Sequence, residues 1–160
     1  MKTIVVYYSR TGNTRKVAKA IAGELGCESK KITDLKDRSG VLGYISGGKD
    51  AISKKLTKIK EEKTKYKSYD VYIIGTPVWG SNPCPAIRTY LLENKKKLKK
   101  VAFFCTAGGG TMESTLLEME KISEKTPFAT LPIQAAEIKK EGFKDHVHLF
   151  AKKIKLKTKK

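Results

Sequence analysis

Two segments of this sequence contain residue types suited to ligand binding, the first to an anion and the second to a flat ring. The first, Ser9-Arg10-Thr11-Gly12-Asn13-Thr14, leads directly into a helical pattern. Backbone N–H groups and the dipole at a helix start favour a phosphate, and hydroxyls can donate to its oxygens. Ser, Thr and Asn are also favoured as N-caps. Because capping needs one such residue and this run has four, the run predicts a phosphate site.

The second run, Thr76-Pro77-Val78-Trp79-Gly80-Ser81, contains the only tryptophan of the chain. A flat aromatic in a loop that follows a strand can stack on a flat ligand, or it can pack into the base of its own loop. A third segment, Thr106-Ala107-Gly108-Gly109, continues into Gly110. Its glycines either form a flexible connection or let a ring edge approach the backbone amides closely.

Short apolar runs alternate with amphipathic stretches, which is typical of a parallel sheet covered on both faces. The pattern predicts five strands, at 3–9, 28–33, 70–75, 100–106 and 128–137, and helices at 13–25, 51–65, from 82–83 to about 98, 111–122 and 142–157. Gly40, Gly43, Gly47 and Gly48 indicate a loop before the second helix. We see no linker or repeat, so we expect one α/β domain over residues 1–160.

The first run resembles the T/S-x-T-G-x-T phosphate loop of flavodoxins, and Gly75 to Trp79 is similar to their G-T-P-x-W/Y loop. The resemblance implies a three-layer sandwich with strand order 2-1-3-4-5 and non-covalently bound FMN at the switch between strands one and three. The implied FMN contacts are Ser9, Arg10, Thr11, Gly12, Asn13 and Thr14 for the phosphate, and Thr76, Pro77, Val78, Trp79, Gly80, Ser81, Thr106, Ala107, Gly108 and Gly109 for the ring.

The resemblance also implies that a peptide beside a glycine turns its carbonyl toward flavin N5 on reduction, and Trp79–Gly80 is the candidate. The chain departs from the family in two ways: the third loop has no second aromatic, and the protein is basic. One face of the ring is therefore open, or is covered by a partner or a second subunit.

Lys+Arg number 34 and Asp+Glu 16, a net charge of +18, while 39% of residues are hydrophobic. That hydrophobic content indicates a folded protein. The lysines cluster at 54–67, 95–100 and 139–160 on predicted helix faces, without the arginines and aromatics that nucleic-acid binding favours. We expect neither nucleic acid nor a membrane as partner, but acidic redox proteins, with monomer and homodimer both open.

Three cysteines, Cys27, Cys84 and Cys105, form no disulfide framework, and no apolar run is long enough for a signal peptide or a membrane span. We expect a cytoplasmic protein. Gly43 to Asp50 is a near-match to a nucleotide P-loop, but Asp50 replaces the required hydroxyl. His146 and His148 are two apart on a predicted helix, so we expect them to diverge and no metal site to form.

The function most consistent with the sequence is electron transfer through FMN, with no catalytic residue of the protein's own. The alternative within the same fold is an NAD(P)H-dependent FMN or quinone oxidoreductase. A third interpretation is a basic binding module that has lost FMN.

Overall fold

The fold is described from a computed structural model of the 160-residue chain. The structure describes residues 1–65, 68–109 and 111–158. Gly110 of the third loop, Lys67, Lys159 and Lys160, which belong to predicted features, lie outside the described residues.

Strands and helices alternate along the chain. The strands are β1 (Thr3–Tyr7), β2 (Glu28–Asp34), β3 (Ile59–Glu61), β4 (Val71–Trp79), β5 (Asn82–Pro83), β6 (Lys100–Ala107) and β7 (Thr130–Gln134). The helices are α1 (Asn13–Leu25), α2 (Gly40–Ile52), α3 (Pro85–Asn94), α4 (Met112–Ser123), α5 (Ala135–Lys139) and α6 (Phe143–Thr158).

Five strands form a parallel sheet in the order β2-β1-β4-β6-β7, which confirms the predicted order and fold class. The predicted count of five is too low, because two short antiparallel strands extend the sheet. β3 pairs with the outer edge of β2, and β5 folds back on the end of β4. The switch point lies between β1 and β4.

Both faces of the sheet are buried, because alternate residues of its central strands point into two separate cores. Ile74 and Phe103 pack with α3 and α4 on one face, and Ile73 and Phe104 pack with α1 and α6 on the other. Such two-sided burial explains why the strands are continuously apolar. None of the helices in the described residues combines the length and apolarity that a membrane span requires.

The segment between β2 and β4 differs most from the prediction. Residues 40–48, expected to be a loop, belong to α2, which ends at Ile52. The helix predicted over 51–65 is therefore wrong beyond its first two residues: Ile52 and Leu56 are exposed, and Ile59 belongs to β3. The buried residues of α2 are Gly43, Gly47, Asp50 and Ala51. Their spacing is helical, but the apolar pattern does not show it because the side chains are small or charged.

Several boundaries also differ; β1 ends at Tyr7, before the predicted residue 9, and α3 ends at Asn94, before the predicted residue 98. β4 does not end at Gly75 but continues to Trp79; Pro77 lies beyond the last pair with β1, where a residue without an N–H is tolerated. Asn82–Pro83 is a strand rather than the start of α3. The last strand ends at Gln134, where a capping box with Glu137 starts α5.

Candidate functional site

A cleft of about 890 Å³ opens at the carboxyl ends of β1, β4 and β6. It brings together twelve of the sixteen predicted site residues: Arg10, Thr11, Asn13, Thr14, Pro77, Val78, Trp79, Gly80, Thr106, Ala107, Gly108 and Gly109. Ser9, Gly12, Thr76 and Ser81 do not line it. Residues that sequence reasoning missed line it as well: Tyr44, Ile45, Gly48, Lys49, Ile52, Ser53 and Ala135.

The loop between β1 and α1 leaves the first amides of the helix available. Gly12 has a left-handed φ of +101°, its N–H donates to Ser9 Oγ at 3.1 Å, and its carbonyl accepts the first helical bond from Lys16. Within residues 1–65, no side chain caps the start of α1. The Ser, Thr and Asn side chains therefore are not engaged in capping, and the helix start keeps its capacity for an anion.

A buried hydroxyl pair joins the first loop to the third. Thr14 Oγ1 and Thr106 Oγ1 lie 2.8 Å apart, and both side chains are almost fully buried. This hydrogen bond holds the start of α1 next to the end of β6. The loop before α1 and the glycine-rich segment after β6 are thereby linked at one edge of the cleft.

Arg10 is directed toward α2. Its Nη1 donates to the carbonyls of Arg38 at 3.3 Å and Gly40 at 3.4 Å, and its guanidinium lies 5.2 Å from the centre of the Tyr44 ring. A cation over an aromatic face is an attractive contact. Arg10 thus links the first loop to the start of α2 while it still lines the cleft.

Thr76 stabilises the chain segment that leads to Trp79. Its side chain is fully buried; the hydroxyl donates to the Pro77 carbonyl at 2.9 Å and accepts from the Cys84 N–H at 3.0 Å. Both bonds hold the chain as it leaves the sheet. Thr76 therefore positions the Trp79 segment instead of lining the cleft.

Trp79 is half-buried at the end of β4, where it packs against one core of the sheet and also lines the cleft. Its ring meets Tyr8 edge-on, with centroids 5.7 Å apart. On α2, a Cβ added to Gly47 would lie 2.8 Å from the ring, so the helix backbone touches Trp79 directly. Trp79 thus packs against protein and also remains accessible from the cleft. Stacking on a ligand and packing within the protein, the two roles considered for it, are therefore compatible.

The glycines after β6 lie in open space. A Cβ added at Gly108 or Gly109 would meet nothing within 4 Å. Contacts within the described protein therefore do not explain these glycines, and space for a ligand is left beside their amides.

Both charged side chains among the described lining residues, Arg10 and Lys49, are cations. The two cysteines that border the region are uncharged, because burial raises the pKa of Cys84 and of Cys105 to about 12. These thiols act as small apolar groups. The cleft has a positive character that suits an anionic ligand.

Asp50, the last residue of the apparent P-loop, has a structural partner. Its carboxylate lies 2.6 Å from Arg38 Nη1 and 2.7 Å from Lys36 Nζ, and these hydrogen bonds, first that of Lys36, lower its pKa to about 2. Gly43 to Asp50 is helical throughout. The segment therefore lacks the loop that would hold nucleotide phosphates.

The two histidines diverge as predicted. His146 contacts Glu137 of α5 at 2.9 Å and His148 contacts Glu24 of α1 at 3.2 Å. In residues 1–65, 68–109 and 111–158, no group of three or more His, Cys, Asp or Glu could hold a metal ion.

Sheet order and cleft together define a doubly wound α/β protein with a ligand site at its switch point. The family model described as flavodoxin matches residues 2–148, and the chain therefore belongs to the flavodoxin family. A comparison with curated protein sequences found no match.

Solved structures agree with this assignment. The flavoprotein from Lactobacillus acidophilus NCFM, solved in complex with FMN, is 26% identical with a TM-score of 0.70, covering 87% of this chain and 97% of that one. A proposed flavoprotein from Bacteroides eggerthii is 21% identical, with a TM-score of 0.72 and coverage of 94% and 98%. Oxidised flavodoxin 2 from Bacillus cereus is 18% identical, with a TM-score of 0.61 and coverage of 98% and 99%. The last two support the fold alone.

Proposed function

We propose that the cleft binds FMN and that the protein transfers electrons through it. The observation that carries the proposal is that three separate loops, each predicted to contact one part of FMN, line one cleft at the switch point. Family membership and the FMN complex of the Lactobacillus acidophilus flavoprotein support it.

The residues of the cleft fit this cofactor in size and chemistry. A volume of about 890 Å³ is within the usual range for cofactor sites. Thr11, Asn13 and the amides at the start of α1 would hold the phosphate. Trp79 and the open amides of Gly108 and Gly109 would hold the ring system. When bound, FMN supplies the one- and two-electron chemistry.

The protein's contribution is binding, orientation and charge. Arg10 and Lys49 favour negative charge in the cleft, which makes the reduced, anionic flavin easier to form than in an acidic site. Tyr44 of α2, which also lines the cleft, supplies an aromatic that the third loop lacks. We propose that one face of the ring is covered from α2 within the same chain.

The excess of lysines affects which redox partners the protein would attract. With a net charge of +18, the protein would attract acidic partners by long-range steering, which salt screens. The expected partners are acidic electron-transfer proteins. Transfer rates to an acidic partner such as a plant-type ferredoxin should fall as ionic strength rises.

Absorption spectra recorded during stepwise reduction of the FMN-loaded protein test the proposal. A flavin spectrum that bleaches and returns with electron exchange, without rapid oxidation of NADPH, supports a carrier. Hydride transfer from NADPH at catalytic rates would establish the reductase alternative instead. A colourless protein that takes up no added FMN would contradict both.

A further inference from the structure

A second cavity, of about 520 Å³, lies at the other end of β4 from the cleft. Tyr72 lines this cavity near the start of the strand, whereas Trp79 lines the cleft at the strand's end. Residues along an extended strand rise by about 3.3 Å each, so about 23 Å separates the two positions. A molecule in the second cavity would therefore be independent of the ligand in the cleft.

The cavity brings together parts of two lysine clusters that the proposed FMN site does not use. Lys63 and Lys65 belong to the cluster at 54–67, and Lys97 belongs to the cluster at 95–100. Lys30 of β2 also lines the cavity; its side chain is only 12% exposed, and its Nζ lies 5.3 Å from the centre of the Tyr90 ring. Ammonium groups from three separate parts of the chain thus meet at one cavity.

The carboxylates that line the cavity already have partners in the protein. Glu61 lies 2.5 Å from Lys30 Nζ, and Glu62 accepts a hydrogen bond from a backbone N–H at 2.9 Å. Within the part of the chain that the structure describes, Lys63 and Lys97 form no salt bridge. The surplus charge at the cavity is therefore positive, which favours an anionic ligand.

Tyr90 supplies a buried hydroxyl that has no hydrogen-bond partner among the described residues. Tyr90 is 2% exposed, and its carbonyl oxygen, not its hydroxyl, accepts from Asn94 Nδ2 at 3.0 Å. Buried hydroxyls are normally paired, because an unpaired one destabilises the fold. A molecule in the cavity that accepts a hydrogen bond from Tyr90 would supply the missing partner.

Tyr72 supplies a second hydroxyl. Its oxygen accepts from the Tyr69 N–H at 3.2 Å, which leaves its own proton to be donated. Burial is the first cause that raises the pKa of both Tyr72 and Tyr90, and the neighbouring Glu61 and Tyr72 raise that of Tyr90 further. Both phenols are therefore protonated donors at neutral pH. The rings of Tyr69 and Tyr72, edge-on with centroids 5.9 Å apart, add apolar surface.

We propose that this cavity binds a small molecule through a phosphate group, to which Tyr72 and Tyr90 donate hydrogen bonds and Lys30 and Lys97 supply positive charge. A phosphate group on a small molecule carries more negative charge than a carboxylate and has three acceptor oxygens. The volume is in the range of small-molecule sites, so the tyrosine rings would contact the organic part of the ligand. The inference is independent of the proposed function.

The experiment follows the amide chemical shifts of the isotope-labelled protein by NMR while a ligand is added at constant ionic strength. The ligands are inorganic phosphate, phenyl phosphate and acetate, each with and without FMN, because residues 9–14 are also suited to phosphate. Saturating shifts at Lys30, Asn94 and Lys97 are expected whether or not FMN is present. Phenyl phosphate should bind most tightly, and acetate about tenfold more weakly than inorganic phosphate.

Two variants test the residues. Tyr90→Phe should weaken phosphate binding about tenfold, since a hydrogen bond to a charged group is lost. It should not lower the melting temperature, because the hydroxyl has no partner within the described protein. Lys97→Met should weaken binding about threefold. Lys96→Met removes an adjacent exposed lysine that does not line the cavity, and this matched control should bind like the wild type.

Shifts confined to residues 9–14 would overturn the proposal, as would equal affinities for the three ligands or equal effects of Lys97→Met and Lys96→Met. Wild-type affinity in Tyr90→Phe would also contradict it. A loss of both affinity and thermal stability in that variant would show that the hydroxyl serves the fold instead. Failure of the cleft to bind FMN would remove only the proposed function, since the cavity is identified by its own amides.

Discussion

Two of the helices that border the cleft, α1 and α2, differ in the face that each buries. α1 buries Val17 and Ile21 among its apolar residues and follows the expected amphipathic pattern. α2 buries Gly43 and Gly47 and exposes large apolar side chains. The comparison teaches that hydrophobic periodicity identifies a helix only where large side chains fill the space between helix and core.

The backbone of α2 lies so close to its neighbours that this helix buries glycines instead of large apolar side chains. A Cβ at Gly43 would lie 2.2 Å from the Arg38 carbonyl carbon, and one at Gly47 would touch Trp79. Gly23 of α1, by contrast, has nothing within 4 Å of its Cβ position. Glycine is a packing requirement in one helix and a replaceable residue in the other.

The largest expected effect comes from breaking the ion pair that holds α2. Asp50→Asn should lower the free energy of unfolding by about 2.5 kcal/mol, because Lys36 and buried Arg38 lose a shared carboxylate and Arg38 keeps only its pair with Asp34 at 2.9 Å. Urea unfolding at neutral pH measures this. An effect no larger than that of Asp37→Asn, an exposed carboxylate nearby, would show that the pair contributes little.

The same ion pair predicts how the free energy of unfolding depends on pH in the acid range. Because the pKa of Asp50 is about 2 in the folded protein, below its ordinary value, its contribution is present above about pH 4 and is lost as pH falls through 2. The stability difference between the wild type and Asp50→Asn should therefore shrink over this range. A difference that stays constant down to pH 2 would contradict the assignment.

A smaller effect on stability distinguishes two adjacent glycines of α2, Gly47 and Gly48. Gly47→Ala should cost about 2 kcal/mol and change the fluorescence of Trp79, the only tryptophan, because the new methyl meets the ring at 2.8 Å. Gly48→Ala, with nothing within 4 Å, is the matched control and should leave the fluorescence unchanged. Similar spectra for both variants would place Trp79 away from α2.

The smallest effect has the opposite sign and concerns α1. Gly23→Ala should raise the free energy of unfolding by about 0.5 to 1 kcal/mol, since the position is an exposed helix interior with a free Cβ site. Thermal or urea unfolding checks it. Destabilisation here would remove the contrast between the two helices.

The five main strands and the three loops could be predicted from sequence because they depend on local patterns: continuous apolar strands, and hydroxyls or glycines at strand ends. The strand order is not a local property, and it was implied only by the resemblance to flavodoxins. The α2 side of the cleft could not, because its buried stripe of Gly43, Gly47, Asp50 and Ala51 is defined by contacts of the folded chain, with Arg38 just before the helix and with distant Trp79. The hydrogen bond from the Asn82 amide to the Gly80 carbonyl could not be predicted either, because it depends on the turn between β4 and β5. Small residues at helical spacing are the signal that could have indicated α2.

The most direct test of the central claim compares dissociation constants for FMN and riboflavin, which differ by the phosphate. Thr11→Val should weaken FMN about tenfold and leave riboflavin unchanged, because the hydroxyl at the start of α1 would serve only the phosphate. Trp79→Ala should weaken both ligands about equally, since both contain the ring. Equal losses of FMN and riboflavin affinity in Thr11→Val would contradict the account.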